Sequence, residues 1–93
     1  MRFVIEKHDI DWRRIGERAL PAGAGLVDAL RRLDAAVAAA RRHRAYVRYV
    51  LRWGRECLIM AAVADGAARY VSCLRPDDIG RFSELEREKR RCQ

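Results

Sequence analysis

The sequence has few of the residues from which catalytic and metal sites are usually built. It contains only two histidines, His8 and His43, and neither has a cysteine or a carboxylate at the spacing of a metal-binding motif. Its three cysteines form no Cys-x-x-Cys pair, and an odd number does not suit a disulfide framework. No set of acid, base and nucleophile can be drawn either. We therefore expect a protein that is not an enzyme, that binds no metal or cofactor, and whose thiols are reduced.

Long apolar runs are missing as well. The longest uncharged apolar stretch, residues 57–64, is far shorter than the ~20 residues that a membrane-spanning helix needs. The first eleven residues alternate in charge, where a secretory signal peptide would have its apolar segment. These two features predict a cytoplasmic protein that does not cross a membrane.

The composition that remains is that of a small, basic, folded protein. With 93 residues, 51% of them hydrophobic, the chain can build one core, so residues 1–93 are expected to form a single domain. Lys and Arg outnumber Asp and Glu by 20 to 13, and only two of the 20 are lysines. Arginine suits phosphate recognition, but a GC-rich bacterial or phage genome gives the same bias. The preference for arginine alone therefore does not identify a function.

The positive charge is concentrated in one short segment. Residues 41–55 carry a net charge of +6 out of the total of +7. The segment contains six arginines interleaved with aromatic residues: Arg41, Arg42, Arg44, Arg48, Arg52 and Arg55. Such a cluster produces a concentrated positive potential that favours acidic partners.

The N-terminal third of the sequence predicts a strand followed by a helix. Residues 2–7 are rich in β-forming side chains, which indicates a first strand. Asp9 or Asp11 can then cap a short helix that ends before Pro21. Its apolar stripe has helical spacing and comprises Trp12, Ile15, Ala19 and Leu20.

A long helix and a three-stranded meander are expected to follow. Apolar residues spaced three and four apart, from Leu26 to Ala40, predict the helix. Residues 44–53 then alternate as a strand does, although the helix could also continue to Gly54. Gly54-Arg55 and Asp65-Gly66 are turn signatures of types II′ and I′, and they favour three antiparallel strands. Residues after Pro76 predict a C-terminal helix. The expected class is α+β: a short N-terminal strand and helix, a long helix, a three-stranded antiparallel meander and a C-terminal helix.

If both turns have two residues, the strand register follows by counting. One face then collects Tyr49 with other apolar residues and becomes the core side. The other face carries Arg44, Tyr46, Arg48 and Arg52, with Tyr70 beside them. The same register places Cys57 and Cys73 on opposite faces of the sheet, so no disulfide is expected between them.

These patterns predict a non-catalytic binding protein that engages an acidic macromolecular surface. Nucleic acid or a ribonucleoprotein is the first hypothesis, with arginines on phosphates and a tyrosine stacked on a base. The alternative is a protein-binding module, such as a small phage-type inhibitor or adaptor, or a domain that forms a homodimer. Under either hypothesis the predicted binding residues are Arg41, Arg42, Arg44, Tyr46, Arg48, Arg52, Arg55 and Tyr70.

Overall fold

A five-stranded antiparallel sheet covered on one side by a single helix forms the fold. The structure is a computed structural model and describes residues 1–74. The strands are β1 (Phe3–His8), β2 (Arg14–Ala19), β3 (Val47–Trp53), β4 (Glu56–Ala64) and β5 (Ala67–Ser72), and the helix is α1 (Leu26–Arg42). The sheet order is β2-β1-β3-β4-β5, and all neighbouring strands are antiparallel. We call the side of the sheet opposite α1 the open face.

Helix α1 packs its predicted apolar side against the sheet. Its buried residues are Leu26, Ala29, Leu33, Val37 and Ala40. The helix ends without glycine or proline, because Arg44 adopts a left-handed conformation with φ of 51°. The Ala45 N–H donates to the Ala40 carbonyl at 2.9 Å and the Arg44 N–H to the Arg41 carbonyl at 3.1 Å, as in a Schellman motif. The prediction of a strand after Arg42 is therefore confirmed, and the alternative of a continued helix is wrong.

The predicted helix over residues 9–20 is wrong, because the chain forms strand β2 there. Asp9 was expected to cap a helix, but its carboxylate instead accepts the N–H groups of Asp11 and Arg13, both at 2.9 Å. These two bonds close a tight loop between β1 and β2. The apolar residues that suggested a helical stripe therefore separate: Leu20 is buried, whereas Trp12 and Ile15 are exposed.

A β-bulge changes the predicted faces of the meander. Both turns lie where the sequence predicts them, and the pairs Trp53 with Glu56 and Ala64 with Ala67 match the expected register. Between Leu51 and Arg52, however, β4 has one additional residue, Leu58. Every later residue of the meander therefore faces the opposite side from the one predicted.

The exchange of faces determines which residues reach the open face. Ile59, Ala61 and Val63 are buried beneath α1, in place of the predicted Met60 and Ala62. On β5 the paired register then turns Tyr70 toward the helix side and Val71 toward the open face. Tyr70 was expected beside the arginines of the open face, so that placement is wrong.

Taken together, the predicted layout is wrong in its sheet and in its N-terminal helix. The sheet has five strands, not three plus a separate first strand, because β1 joins the meander by pairing with β3, as Val4 with Arg52 shows. The predicted C-terminal helix lies outside the described residues. Across residues 1–74, no helix is both long enough and apolar enough to cross a membrane.

The β4–β5 turn supplies a local test of this fold. Gly66 has a φ of +78°, which only glycine adopts without strain. Gly66→Ala should therefore lower the free energy of unfolding by about 1 kcal/mol, measured by urea denaturation. Gly16→Ala is the matched control, because its added Cβ would lie an ordinary 3.7 Å from the Lys7 Cβ. Equal effects of the two substitutions would contradict the turn conformation.

Candidate nucleic-acid interface

The end of α1 and the β4–β5 turn meet at one end of the sheet through arginine side chains. Arg41 Nε donates to the Gly66 carbonyl at 3.0 Å, and Arg44 Nη2 donates to the Asp65 carbonyl at 3.4 Å. The Tyr46 hydroxyl donates to the Asp65 carboxylate. Both arginine contacts are to carbonyl oxygens, so these two bonds position the guanidinium groups without neutralising their charge.

Two more arginines reach the same end from the open face. Arg48 of β3 pairs with Ala62 of β4, which pairs with Arg69 of β5. Residues two strands apart in one row lie about 10 Å from each other. The Arg48 guanidinium lies over the indole of Trp12, 4.4 Å from the ring centroid, as a cation–π contact. The indole is partly exposed and has His8 at its edge.

We call this group of residues the basic end. It comprises Arg41, Arg42, Arg44, Arg48 and Arg69 with the exposed aromatic residues Trp12 and Tyr46. The acidic side chain bonded within it is Asp65, and the hydrogen bond to that carboxylate raises the pKa of the Tyr46 hydroxyl. The nearby β1–β2 loop adds Asp9 and Asp11 and one further arginine, Arg13. Among the described residues, six arginines therefore face three aspartates, and this region is net positive.

Arg52, in contrast, is neutralised within the sheet. Its Nε donates to Glu6 at 2.7 Å, its Nη2 to Glu17 at 3.1 Å, and its Nη1 to the Gly54 carbonyl at 2.8 Å. Desolvation raises the pKa of the Glu6 carboxyl, but Arg52 and His8 together outweigh it, and the net effect lowers that pKa. Arg52 is therefore part of a structural ion network.

The other two predicted binding residues, Arg55 and Tyr70, do not lie on the open face at the basic end. Arg55 is in the β3–β4 turn, at the opposite end of the sheet. Tyr70 lies on the helix side, where its hydroxyl donates to Asp34 Oδ1 at 3.2 Å. Burial, the bond to Asp34 and its charge raise the pKa of Tyr70, whereas the nearby charge of Arg41 lowers it. Tyr70 thus borders the basic end through Arg41.

The structure brings together five of the eight residues predicted from the sequence. These are Arg41, Arg42, Arg44, Tyr46 and Arg48. Sequence reasoning missed Trp12 and Arg69, because Trp12 was placed on a helix and Arg69 lies outside the basic segment.

Within the described part of the chain, no three histidine, cysteine or carboxylate side chains lie close enough to hold a metal ion. What the geometry of residues 1–74 offers is a surface of guanidinium groups and exposed rings, which can bind anions and stack on planar groups. Comparison of the chain with protein-family models, with curated proteins and with solved structures finds no match.

Proposed function

We propose that this protein is a non-catalytic binding protein that engages single-stranded nucleic acid at its basic end. The observation that carries the proposal is the arrangement of five arginines at one end of the sheet, two of them held in place through backbone carbonyls of the β4–β5 turn. Guanidinium groups that are fixed but not paired with carboxylates are suited to phosphate oxygens.

The exposed rings favour a single strand over a duplex. Trp12 is 48% exposed and Tyr46 is 59% exposed, and both lie among the arginines. Aromatic side chains bind single strands by stacking on unpaired bases, whose faces are covered in a duplex. The distribution of charge agrees, because Arg52, near the opposite end of β3, is neutralised by Glu6 and Glu17. No ion pair of a basic-end arginine is found among residues 1–74.

The test compares two triple variants that lose the same charge, one at the basic end and one at exposed positions away from it. Arg42→Gln/Arg48→Gln/Arg69→Gln changes the basic end, and Arg2→Gln/Arg31→Gln/Arg55→Gln is the control. Binding is followed by fluorescence anisotropy with labelled single-stranded RNA of about 12 nucleotides. This length is within the usual site size of proteins that bind single-stranded nucleic acid. Salt is varied from ~50 mM to ~200 mM.

We expect the basic-end variant to bind at least about tenfold more weakly than the wild type at ~50 mM salt, because its phosphate contacts are lost. The slope of log affinity against log salt should flatten by up to about 2, or ~0.7 per lost contact. The control should change both quantities much less.

Two results would contradict the proposal. One is equal weakening by the two variants, which would show a response to net charge alone. The other is a wild type that binds neither RNA nor single-stranded DNA at ~50 mM salt. The second result would leave the protein-binding module as the better hypothesis, with the apolar row of Val50, Met60 and Val71 on the open face as its surface.

A further inference from the structure

Two cysteine side chains are neighbours on the open face, away from the basic end. Cys57 lies before the β-bulge and faces the same side as its partner Arg52. Cys73 follows β5, where its N–H donates to the Leu58 carbonyl at 2.7 Å. Both residues are exposed, and the Cys73 thiol is near enough to the Cys57 thiol to raise its pKa. The expectation that they lie on opposite faces is therefore wrong, because it omitted the additional residue of the bulge.

We propose that Cys57 and Cys73 are a thiol pair that a small disulfide, such as oxidised glutathione, converts into an intramolecular disulfide between β4 and the end of β5. The proposal does not depend on nucleic-acid binding. It rests on the placement of both cysteines on the open face, on their exposure and on the 2.7 Å backbone hydrogen bond from Cys73 to Leu58, the residue next to Cys57.

The reaction is two successive thiol–disulfide exchanges. One cysteine, as its thiolate, attacks a sulfur of oxidised glutathione, forms a mixed disulfide and releases one glutathione thiolate, which takes up a proton. The second cysteine loses its proton, attacks the protein sulfur of the mixed disulfide and releases the second glutathione. Two protein thiols are oxidised, and one glutathione disulfide is reduced to two thiols.

The location gives this bond a structural effect. β5 is the edge strand of the described sheet and pairs with β4 alone, and most of its residues are exposed. A covalent bond at its far end closes the hairpin opposite the Asp65-Gly66 turn. The strand that carries Arg69 would then be held at both ends. We therefore expect β5 to separate from β4 less readily in the oxidised protein than in the reduced one.

The reaction should be faster at higher pH. Burial raises the pKa of the Cys57 thiol, and its contact with Cys73 raises it further, so the thiol is the dominant form at neutral pH. Because the thiolate is the attacking species, the rate should increase as the pH rises toward that pKa.

The test uses the full chain with Cys92→Ser, which leaves only the two thiols of the pair. After treatment with oxidised glutathione we expect no titratable thiol in the denatured protein and no bound glutathione by intact mass. Trypsin cleavage without reductant should give one species that joins residues 56–69 with residues 70–81. The unfolding temperature should rise by several degrees, and reductant should reverse the rise.

The matched control is Cys73→Ser in the same background. Its single remaining thiol, Cys57, should keep one glutathione, because no second thiol can displace it. Three results for the two-thiol protein would overturn the proposal: two bound glutathiones, a disulfide-linked dimer on a non-reducing gel, or two unchanged thiols after the control variant has reacted.

Discussion

Leu33→Ala is expected to lower the free energy of unfolding by about 2 to 5 kcal/mol. Leu33 is 1% exposed and lies in the middle of the buried side of α1, against the sheet. The substitution removes apolar contact area and leaves a cavity that the helix and sheet cannot close without moving. Urea denaturation of both proteins, followed by circular dichroism, measures the difference.

The control for Leu33 is on the other side of the same helix. Arg31 is exposed, so Arg31→Ala should change the free energy of unfolding by less than about 0.5 kcal/mol. Both substitutions put alanine in a helix interior, so helix propensity does not account for a large difference between them. A larger effect of Arg31→Ala would show that α1 packs on the sheet with a different side.

Glu6→Gln is expected to destabilise the protein by about 1 to 3 kcal/mol at neutral pH, since it removes a charged acceptor from a partly buried ion network. The Glu6 carboxylate accepts Arg52 Nε at 2.7 Å and contacts His8 Nε2 at 2.9 Å, and its side chain is only 15% exposed. Among the described residues, the variant leaves Arg52 with Glu17 as its one carboxylate partner, beside the Gly54 carbonyl. Asp11→Asn, the same charge change in the exposed loop, is the control and should have a much smaller effect.

The same carboxylate predicts a pH dependence of stability. The pKa of Glu6 is lower in the folded protein than in the unfolded chain, so in the acid range the unfolded chain binds more protons. Its stabilisation is therefore complete above the unfolded value, ~4.3, and is lost as the pH falls through the lower folded pKa. Urea denaturation between pH ~7 and pH ~3 should show a smaller decrease for Glu6→Gln than for the wild type. Equal decreases would contradict the role given to Glu6.

Local signals were sufficient to predict α1 and the three strands of the meander. The spacing of apolar residues from Leu26 to Ala40 defines one side of a helix, and the two turns contain residues that adopt positive φ, such as Gly54 and Gly66. These features depend on neighbours in sequence, so the sequence alone contains them.

The errors concern choices that distant residues decide. An aspartate such as Asp9 is common both at the start of a helix and in a tight loop, and the pairing of β1 with β2, such as Val4 with Ala19, requires the loop. Leu58 and Ile59 are adjacent apolar residues, and nothing in their types shows which one is additional to the register. One additional residue exchanges the two faces of everything that follows.

For the candidate site, the sequence predicted where most of the arginines lie but not which of them are neutralised. The segment 41–55 located most of the cations, because charge density is a property of the sequence. Whether a cation is neutralised depends on partners far along the chain: Glu6 lies 46 residues from Arg52, and Trp12 lies 36 residues from Arg48. Those contacts exist only after β1 pairs with β3.

The pairing of β1 with β3 joins two parts of the sheet that are each built from neighbouring segments of the chain. The β1–β2 hairpin and the β3–β4–β5 meander each close through short turns, whereas the chain between β1 and β3 includes the whole of α1. Contacts between distant residues form slowly, because the long loop must be closed before they contribute any free energy. We therefore expect the slow event in folding to be the pairing of β1 with β3, which joins the β1–β2 hairpin to the β3–β4–β5 meander beneath the helix that links them.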